Sequence, residues 1–419
     1  MNGQVFSAAV VGGGIVGLCT ALELQRYGER VLLLERGTVC GGASWGNAGH
    51  IAAEQVFPIA SPDILKQLPR MLADPLGPLR LDWRYLPQIA PWLFRLLYNL
   101  TPARFAHSRR ALSALNGRAL AAWQDFASQW GAARHLKVRG SLLVCESAGG
   151  QAALQRHGRI LAGLGVANEW LDWDGLHTRE PALSDRICGG LFFPDTGHVA
   201  DLAGMAADLR QAFVRAGGTL YEHTEVADAA PLSDGRFRLI VRGGLFEAGR
   251  IVIAAGAFSK PWLKKLCGRS APLDTERGYH LMLPQQTDMP AVPVSSFERK
   301  LIMTPMDAGL RLAGTVEFAG LHALPDMRRA FRLHDLAQPV LKGRLNGGNA
   351  VPWLGFRPSL PDSLPVIDRV GNVLLAFGHQ HLGLTQAPLT ARLVTALYFG
   401  ETPEIDLSPY RLNRFSPVF

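Results

Sequence analysis

The sequence predicts an α/β protein built on a parallel-sheet nucleotide-binding domain, and three observations predict it. Residues 7–11, an apolar Ser-Ala-Ala-Val-Val run, lead directly into Gly12-Gly13-Gly14-Ile15-Val16-Gly17, which opens a helix. A second apolar run over residues 30–34 ends on Glu35. Residues 250–256 then form a third buried run that ends in Ala-Ala-Gly. Strand, glycine turn, helix, strand and acid in this order make a Rossmann-like unit.

Each part of that unit has a physical task. Gly12 permits the tight turn, Gly14 lets backbone amides approach a pyrophosphate, and Gly17 lets the helix lie close to the strand. The first helical turn, with Ile15 and Val16, directs its unpaired N–H groups at the phosphates. The helix ends near Gly28, and the second strand delivers Glu35, 18 residues past Gly17, to accept hydrogen bonds from ribose hydroxyls, with Arg36 beside it. The next loop, from Gly41 to His50, is nearly all small residues. Its Ala43, Ser44, Asn47, Ala48 and Gly49 can therefore lie against a flat ligand.

Further along, residues 60–135 read as helical and 140–145 as a strand. Asp201 is a candidate N-cap for a helix that runs to Gly217-Gly218. Strands are expected at 219–221, at 224–226, which carries Val226, at 237–241, and at 250–255, which carries Ala255 and Gly256 to the nucleotide. The proline-punctuated stretch 355–367 precedes a strand at 372–377, the loop Gly378-His379-Gln380-His381-Leu382-Gly383, and a helix starting near Leu384 and Thr385. That helix N-terminus can hold negative charge.

Composition narrows the function classes. The chain has 419 residues, 48% of them hydrophobic, enough for one extended domain or two intertwined ones. A net charge of +8 suits an anionic substrate, an anionic cofactor or an acidic membrane surface. The basic residues are scattered and carry no recognition motif, so nucleic acid is not expected as a partner. Five cysteines without metal spacing or a CxxC pair argue for a reduced, cytoplasmic setting, and the first strand begins too early for a signal peptide. No apolar run reaches the roughly 18 to 20 residues of a membrane span. Residues 81–105 interleave Trp83, Tyr85, Trp92, Phe94 and Tyr98 with Arg84, Arg95 and Arg104. They read either as an interfacial helix on the inner face of the cell membrane or as a core helix with solvent-facing arginines. No metal site is expected, because His379-Gln380-His381 lacks a third ligand. No nucleophile elbow at a strand-to-helix turn, no Cys/His arrangement and no Walker loop is evident in the sequence.

The segments "VVGGGIVG", "LERG", "ASWGNAGHI", "AAGAFS", "ERGYHL", "GFRPSLPDSLPVI" and "NVLLAFGHQHLGLT" together resemble the D-amino acid oxidase superfamily of FAD proteins. Within it the chain is most similar in type to the bacterial D-amino acid dehydrogenase small subunit. The resemblance implies a glutathione reductase-like FAD-binding domain from residues 1–60, 196–265 and 350–419. It implies an α+β substrate-binding domain built from insertions at 61–195 and 266–349. FAD contacts are implied at Gly378, His379, Leu382, Gly383, Leu384 and Thr385 as well as in the N-terminal unit. The implied activity is oxidation of a D-amino or cyclic D-imino acid to an imine, with electrons passed to a quinone or an electron-transfer partner. Alternatives are an oxidase of glycine or sarcosine type and a non-catalytic flavoprotein subunit.

The same resemblance nominates a substrate site. Arg357, in Gly-Phe-Arg-Pro, matches the family's carboxylate-binding arginine, a task that suits the planar, permanently charged guanidinium fork. Tyr279 matches the tyrosine of a Gly-Tyr motif and could bond the same carboxylate, with Arg277 adding a second charge. His50 ends the small-residue loop and, as a neutral imidazole, could take a proton from the substrate ammonium. The sequence departs from the family at two of these positions: His50 stands where Gln is frequent and Arg277 where Lys is frequent. The identity of the amino acid is left open by both changes.

Overall fold

The computed structural model describes residues 5–61, 71–72 and 74–415. Two large sheets organise them. The first has eight strands. Its spatial order is Thr219–Tyr221, Val31–Leu34, Val5–Val11, Gly244–Ile253, Phe237–Val241 and Val226–Pro231. Val373–Phe377 joins it parallel to Gly244–Ile253, and Val366–Val370 pairs antiparallel with Val373–Phe377.

Alternation along these strands explains the layers around the sheet. Ala8, Val10, Val31, Leu33, Val252 and Leu374 share one core with helices Ile15–Arg26, Leu202–Arg215 and Gly383–Phe399. The intervening Phe6, Ala9, Val11, Leu32, Leu34, Ile251 and Ile253 share another with Leu263 of helix Lys260–Cys267. Burying each such Val, Leu or Ile stabilises the fold by about 1.5–3 kcal/mol before conformational entropy is counted. The expected N-cap forms, with the Asp201 side chain accepting from Gly204 N at 2.8 Å.

The second sheet has ten strands and is largely antiparallel. At its centre Asp274–Pro284 pairs with Val351–Ser359 on one side and with Gly309–Ala313 and Val316–Phe318 on the other. Ser141–Cys145 and Gly189–Phe193 extend it through Leu301–Met306 and Val294–Ser296. Residues 351–359, grouped with the nucleotide side by sequence, thus pair inside the second sheet and carry the chain back from it to the first. Residues 60–135 are not helical throughout. Helices Leu86–Asn99, Pro102–Asn116 and Ala119–Gln129 form, but Leu79–Leu81 is a strand parallel to Val316–Phe318. Its ladder partner lies far away in sequence, where local pattern gives no warning. Residues 62–70 and 73 of the expected helical stretch lie outside the described residues.

Candidate active site

The glycine turns at the carboxyl ends of the parallel strands open onto one elongated cavity of about 480 Å³. Gly12 has φ +107°, and a Cβ there would stand 2.6 Å from the Ala254 carbonyl oxygen. Only glycine therefore lets the two turns meet. The Glu35 carboxylate is held by two backbone amides, Gly13 N to Oε2 at 2.7 Å and Gly37 N to Oε1 at 2.8 Å. Each oxygen retains a lone pair for a ribose hydroxyl. Ser44 Oγ accepts from Ile15 N at the helix start (2.9 Å), which ties the small-residue loop to the phosphate end. Asn47 Nδ2 donates to His381 O at 3.2 Å and joins that loop to the last glycine loop.

Of the residues nominated for the cofactor, Gly12, Gly14, Ile15, Val16, Glu35, Arg36, Ala43, Ser44, Asn47, Val226, Ala255, Gly256, His379, Gly383 and Leu384 line this cavity. Gly17, Ala48, Gly49, Gly378, Leu382 and Thr385 are not on its wall. Gly17 lies under the Gly12 carbonyl, Gly49 against Met306, and Gly378 against Leu360. Thr385 Oγ1 accepts from Ala52 N at 3.0 Å and so braces the strand after the loop. Thr224, Trp262, Phe356 and Gln380 also line the wall. Phe258 carries the Arg36 guanidinium 3.5 Å above its ring and meets Phe356 edge-on. None of these five was nominated for the cofactor: Phe258, Phe356 and Gln380 stand inside the segments that carry the resemblance, beside residues that were, and Thr224 and Trp262 lie outside all of them. A glycine-walled cleft with the Glu35 carboxylate on its wall, free to accept from ribose hydroxyls, fits FAD.

The second sheet carries three of the residues nominated for the substrate, and strand parity decides which of them face the small-residue loop. Glu276 stands opposite Arg357 in register, Gly278 opposite Gly355, and His280 opposite Trp353. This face meets the small-residue loop. His280 Nδ1 bonds Gly46 O at 3.2 Å, and its ring stacks on Trp353 at 5.0 Å and 15°. Arg311 Nη1 donates to Trp45 O at 3.0 Å and Asn47 O at 2.7 Å. The Trp353 indole occupies the space where a Cβ on Gly46 would stand. Arg357 lies flat on Gly278 and makes one hydrogen bond among the described residues, Nη1 to Thr315 O at 3.0 Å. Most of its fork is left for an incoming carboxylate.

Arg277 and Tyr279 alternate onto the opposite face. Tyr279 Oη donates to Glu317 Oε2 at 2.7 Å and accepts from Asp326 N at 3.2 Å, while Arg277 pairs with Glu317 at 3.3 Å and donates to Ala323 O. Both are fully buried against helix Arg328–Ala337 and its Arg329. His50 is buried as well, with Nδ1 on Gly197 O at 3.1 Å and Nε2 on Glu54 at 2.9 Å. It is absent from the cavity wall. Burial is the largest single influence and opposes its charged form, but the Glu54 carboxylate and the Gly197 carbonyl together outweigh it and raise its pKa. Of the four substrate-site nominees, the fold brings only Arg357 to the face beside the loop. His280, Arg311 and Trp353 are there instead, and alternation from the "RGYH" strand is the signal that would have found His280.

The DAO family of FAD dependent oxidoreductases matches residues 7–397. The chain belongs to that family. A D-amino-acid oxidase of Bradyrhizobium diazoefficiens is 35% identical to this DAO-family chain over 417 residues, covering 97% of it and 98% of the relative. A D-amino acid dehydrogenase of Methylobacterium radiotolerans is 31% identical over 424 residues, covering 97% and 99%. Among solved structures, glycine oxidase from Geobacillus kaustophilus superposes with a TM-score of 0.76 at 23% identity, over 99% of this chain and 100% of that one, and shares the fold.

Electrostatics in this DAO-family site follow from burial. His379, on the cavity wall with Nε2 on Thr390 Oγ1, has its pKa pushed down to about 3 by desolvation. His280 falls to about 3 by burial and then by the Arg311 charge. His381 falls to about 3 by burial and by Arg357. All three are neutral near pH 7. Glu276 is fully buried, which raises its pKa, and the Arg357 charge pulls it partly back. Among the described residues no group of three or more His, Cys, Asp or Glu could hold a metal ion.

Proposed function

We propose that the chain oxidises a D-amino or cyclic D-imino acid at its α-carbon and passes the electrons to a quinone or an electron-transfer partner. The observation that carries this reading is Arg357, a permanently charged fork seated on Gly278 with a single backbone acceptor, beside the loop that borders the cofactor cleft. A carboxylate bound bidentately there would be held on the face of the second sheet that meets the small-residue loop, with Phe356 and Pro358 on either side of Arg357 lining the cleft. FAD, when bound, supplies the two-electron acceptor for the hydride that leaves that carbon.

The chain's own residues do the positioning. Glu35, Ser44 and Asn47 would hold the cofactor from ribose to ring, and Arg311, His280 and Trp353 fix the loop that carries Asn47. The substrate gives up its α-hydrogen as hydride and one proton from nitrogen, forming C=N. Water then cleaves an acyclic imine to the 2-oxo acid and ammonia, whereas a cyclic one persists. With both ring nitrogens engaged, His50 is given a positioning role: it braces the loop, and the amine loses its proton to water. Names borne by relatives support a D-configured substrate.

One relative is named as an oxidase, which supports a second reading with oxygen as acceptor. Anaerobic bleaching of the flavin by a panel of D- and L-amino acids, glycine, sarcosine and cyclic imino acids, followed by oxygen, tests both. Bleaching by a D-substrate with slow reoxidation is expected. Fast reoxidation favours the oxidase, and a flavin that nothing bleaches overturns both.

A further inference from the structure

Helix Leu86–Asn99 packs its inner side, Ile89 and Trp92, on Phe318, with the Trp92 and Phe318 rings 5.4 Å apart. Its outer side is also apolar. Phe94 is 72% exposed, Tyr98 57% and Leu97 48%, and Trp83 just before the helix is 63% exposed. Phe94, Leu97 and Tyr98 stand at i, i+3 and i+4, so they form one stripe, and the exposed Pro87 and Pro91 prolong it toward the helix start. A helix that is apolar on both sides fits a setting where water is replaced on both.

The charge pattern identifies what replaces it. From Trp83 to Gln124 the chain carries Arg84, Arg95, Arg104, Arg109, Arg110 and Arg118 and not one Asp, Glu or Lys. Arg84, Arg95 and Arg104 are exposed around the stripe. Arg104 lies 4.0 Å over the Tyr98 ring and donates to its hydroxyl at 2.9 Å, holding that aromatic outward. Asp82, just before Trp83, is the acid next to this patch, and its Oδ1 accepts from Arg84 N at 3.0 Å. Aromatic and leucine side chains edged by three exposed arginines match the acyl boundary and anionic headgroups of a bilayer. No helix among the described residues is long and apolar enough to cross a membrane, so contact through this helix is with the surface.

We infer that this face docks the protein on an anionic lipid surface, with Phe94, Leu97, Tyr98 and Trp83 entering the interface and Arg84, Arg95 and Arg104 meeting the headgroups. The inference deepens the quinone reading and takes its purpose from it, since a lipid-soluble quinone is reached at that surface. Binding is measured without substrate, so a failure of docking and a failure of the quinone reading are told apart.

The test is co-sedimentation of the FAD-loaded protein with vesicles of phosphatidylglycerol and phosphatidylcholine in equal parts, and with phosphatidylcholine alone. The expected result is a partition at least about tenfold greater onto the anionic vesicles, weakened by added salt. The pair Phe94→Ser/Leu97→Ser and the triple Arg84→Ser/Arg95→Ser/Arg104→Ser should each lose about tenfold or more while FAD content and Tm are kept, because these side chains point away from the core. Equal recovery of wild type with both vesicle types overturns the proposal. So does unchanged binding by both variants. A concentration-dependent dimer that Phe94→Ser/Leu97→Ser abolishes, with no vesicle binding, assigns the face to a second copy and also overturns it.

Discussion

The guanidinium of Arg357 rests on the bare α-carbon of Gly278, in the space that a Cβ would fill. Arg357 and Gly278 lie on neighbouring antiparallel strands, two residues apart in register, so the contact is built into the sheet. Gly278→Ala must therefore push the fork away from its seat without touching the cofactor cleft. KM for the amino acid should rise about tenfold or more, the cost of one weakened charged hydrogen bond, while FAD content stays at wild-type level. Steady-state kinetics beside the flavin-to-protein absorbance ratio checks this, and an unchanged KM would mean that Arg357 does not hold the substrate.

Parity separates Tyr279 from that role. Its hydroxyl closes a buried network with Glu317 and the Asp326 amide. Tyr279→Phe leaves the carboxylate of Glu317 short of a donor, which costs about 1–3 kcal/mol of stability. A lowered Tm with an unchanged KM is expected, and a raised KM at constant Tm would return Tyr279 to the substrate.

Much of this was legible in the sequence because its cause is local. The glycine turn at residues 12–17, the acid at Glu35, the Asp201 cap and the alternating strands of the first sheet all follow from neighbours in the chain. Where the cause is distant, legibility fails. Leu79–Leu81 becomes a strand only because Val316–Phe318 offers it a ladder. Arg277 and Tyr279 carry the right chemistry, but a one-residue parity that depends on the pairing of Asp274–Pro284 turns them to the far face. Arg311 belongs to no motif at all, and only the fold brings it under the loop at residues 45–47.

That arginine gives a third prediction. Arg311 is buried, its pKa is pushed down to about 10 by desolvation, and no carboxylate lies within ion-pair distance of it among the described residues. Its bonds to Trp45 O and Asn47 O flank the His280 bond to Gly46 O and supply two of the three hydrogen bonds between residues 45–47 and the second sheet among the described residues. Arg311→Met removes both and should weaken FAD retention by about tenfold or more, read by fluorescence titration of the apoprotein. Retention equal to wild type would mean that His280 and Trp353 suffice to hold the loop.

Acid should loosen the site through its buried imidazoles. The folded-state pKa values of His280 and His379 are both depressed, to about 3, from an ordinary value of about 6.5. A depressed group contributes stability that is complete above the unfolded pKa and is lost as pH falls toward the folded one, because the unfolded chain takes up a proton that the folded chain refuses. Between about pH 6.5 and pH 3 each histidine therefore removes up to about 1.4 kcal/mol per pH unit. The consequence reaches the cofactor, since His280 holds Gly46 O and His379 stands on the cavity wall. Denaturant unfolding at pH 7 and pH 5 should reveal the loss, accompanied by earlier FAD release at pH 5. His280→Gln keeps a donor for Gly46 and has no proton to gain, so it should reduce the acid slope by up to one histidine's share. An identical slope in wild type and variant would place the acid sensitivity elsewhere in the fold.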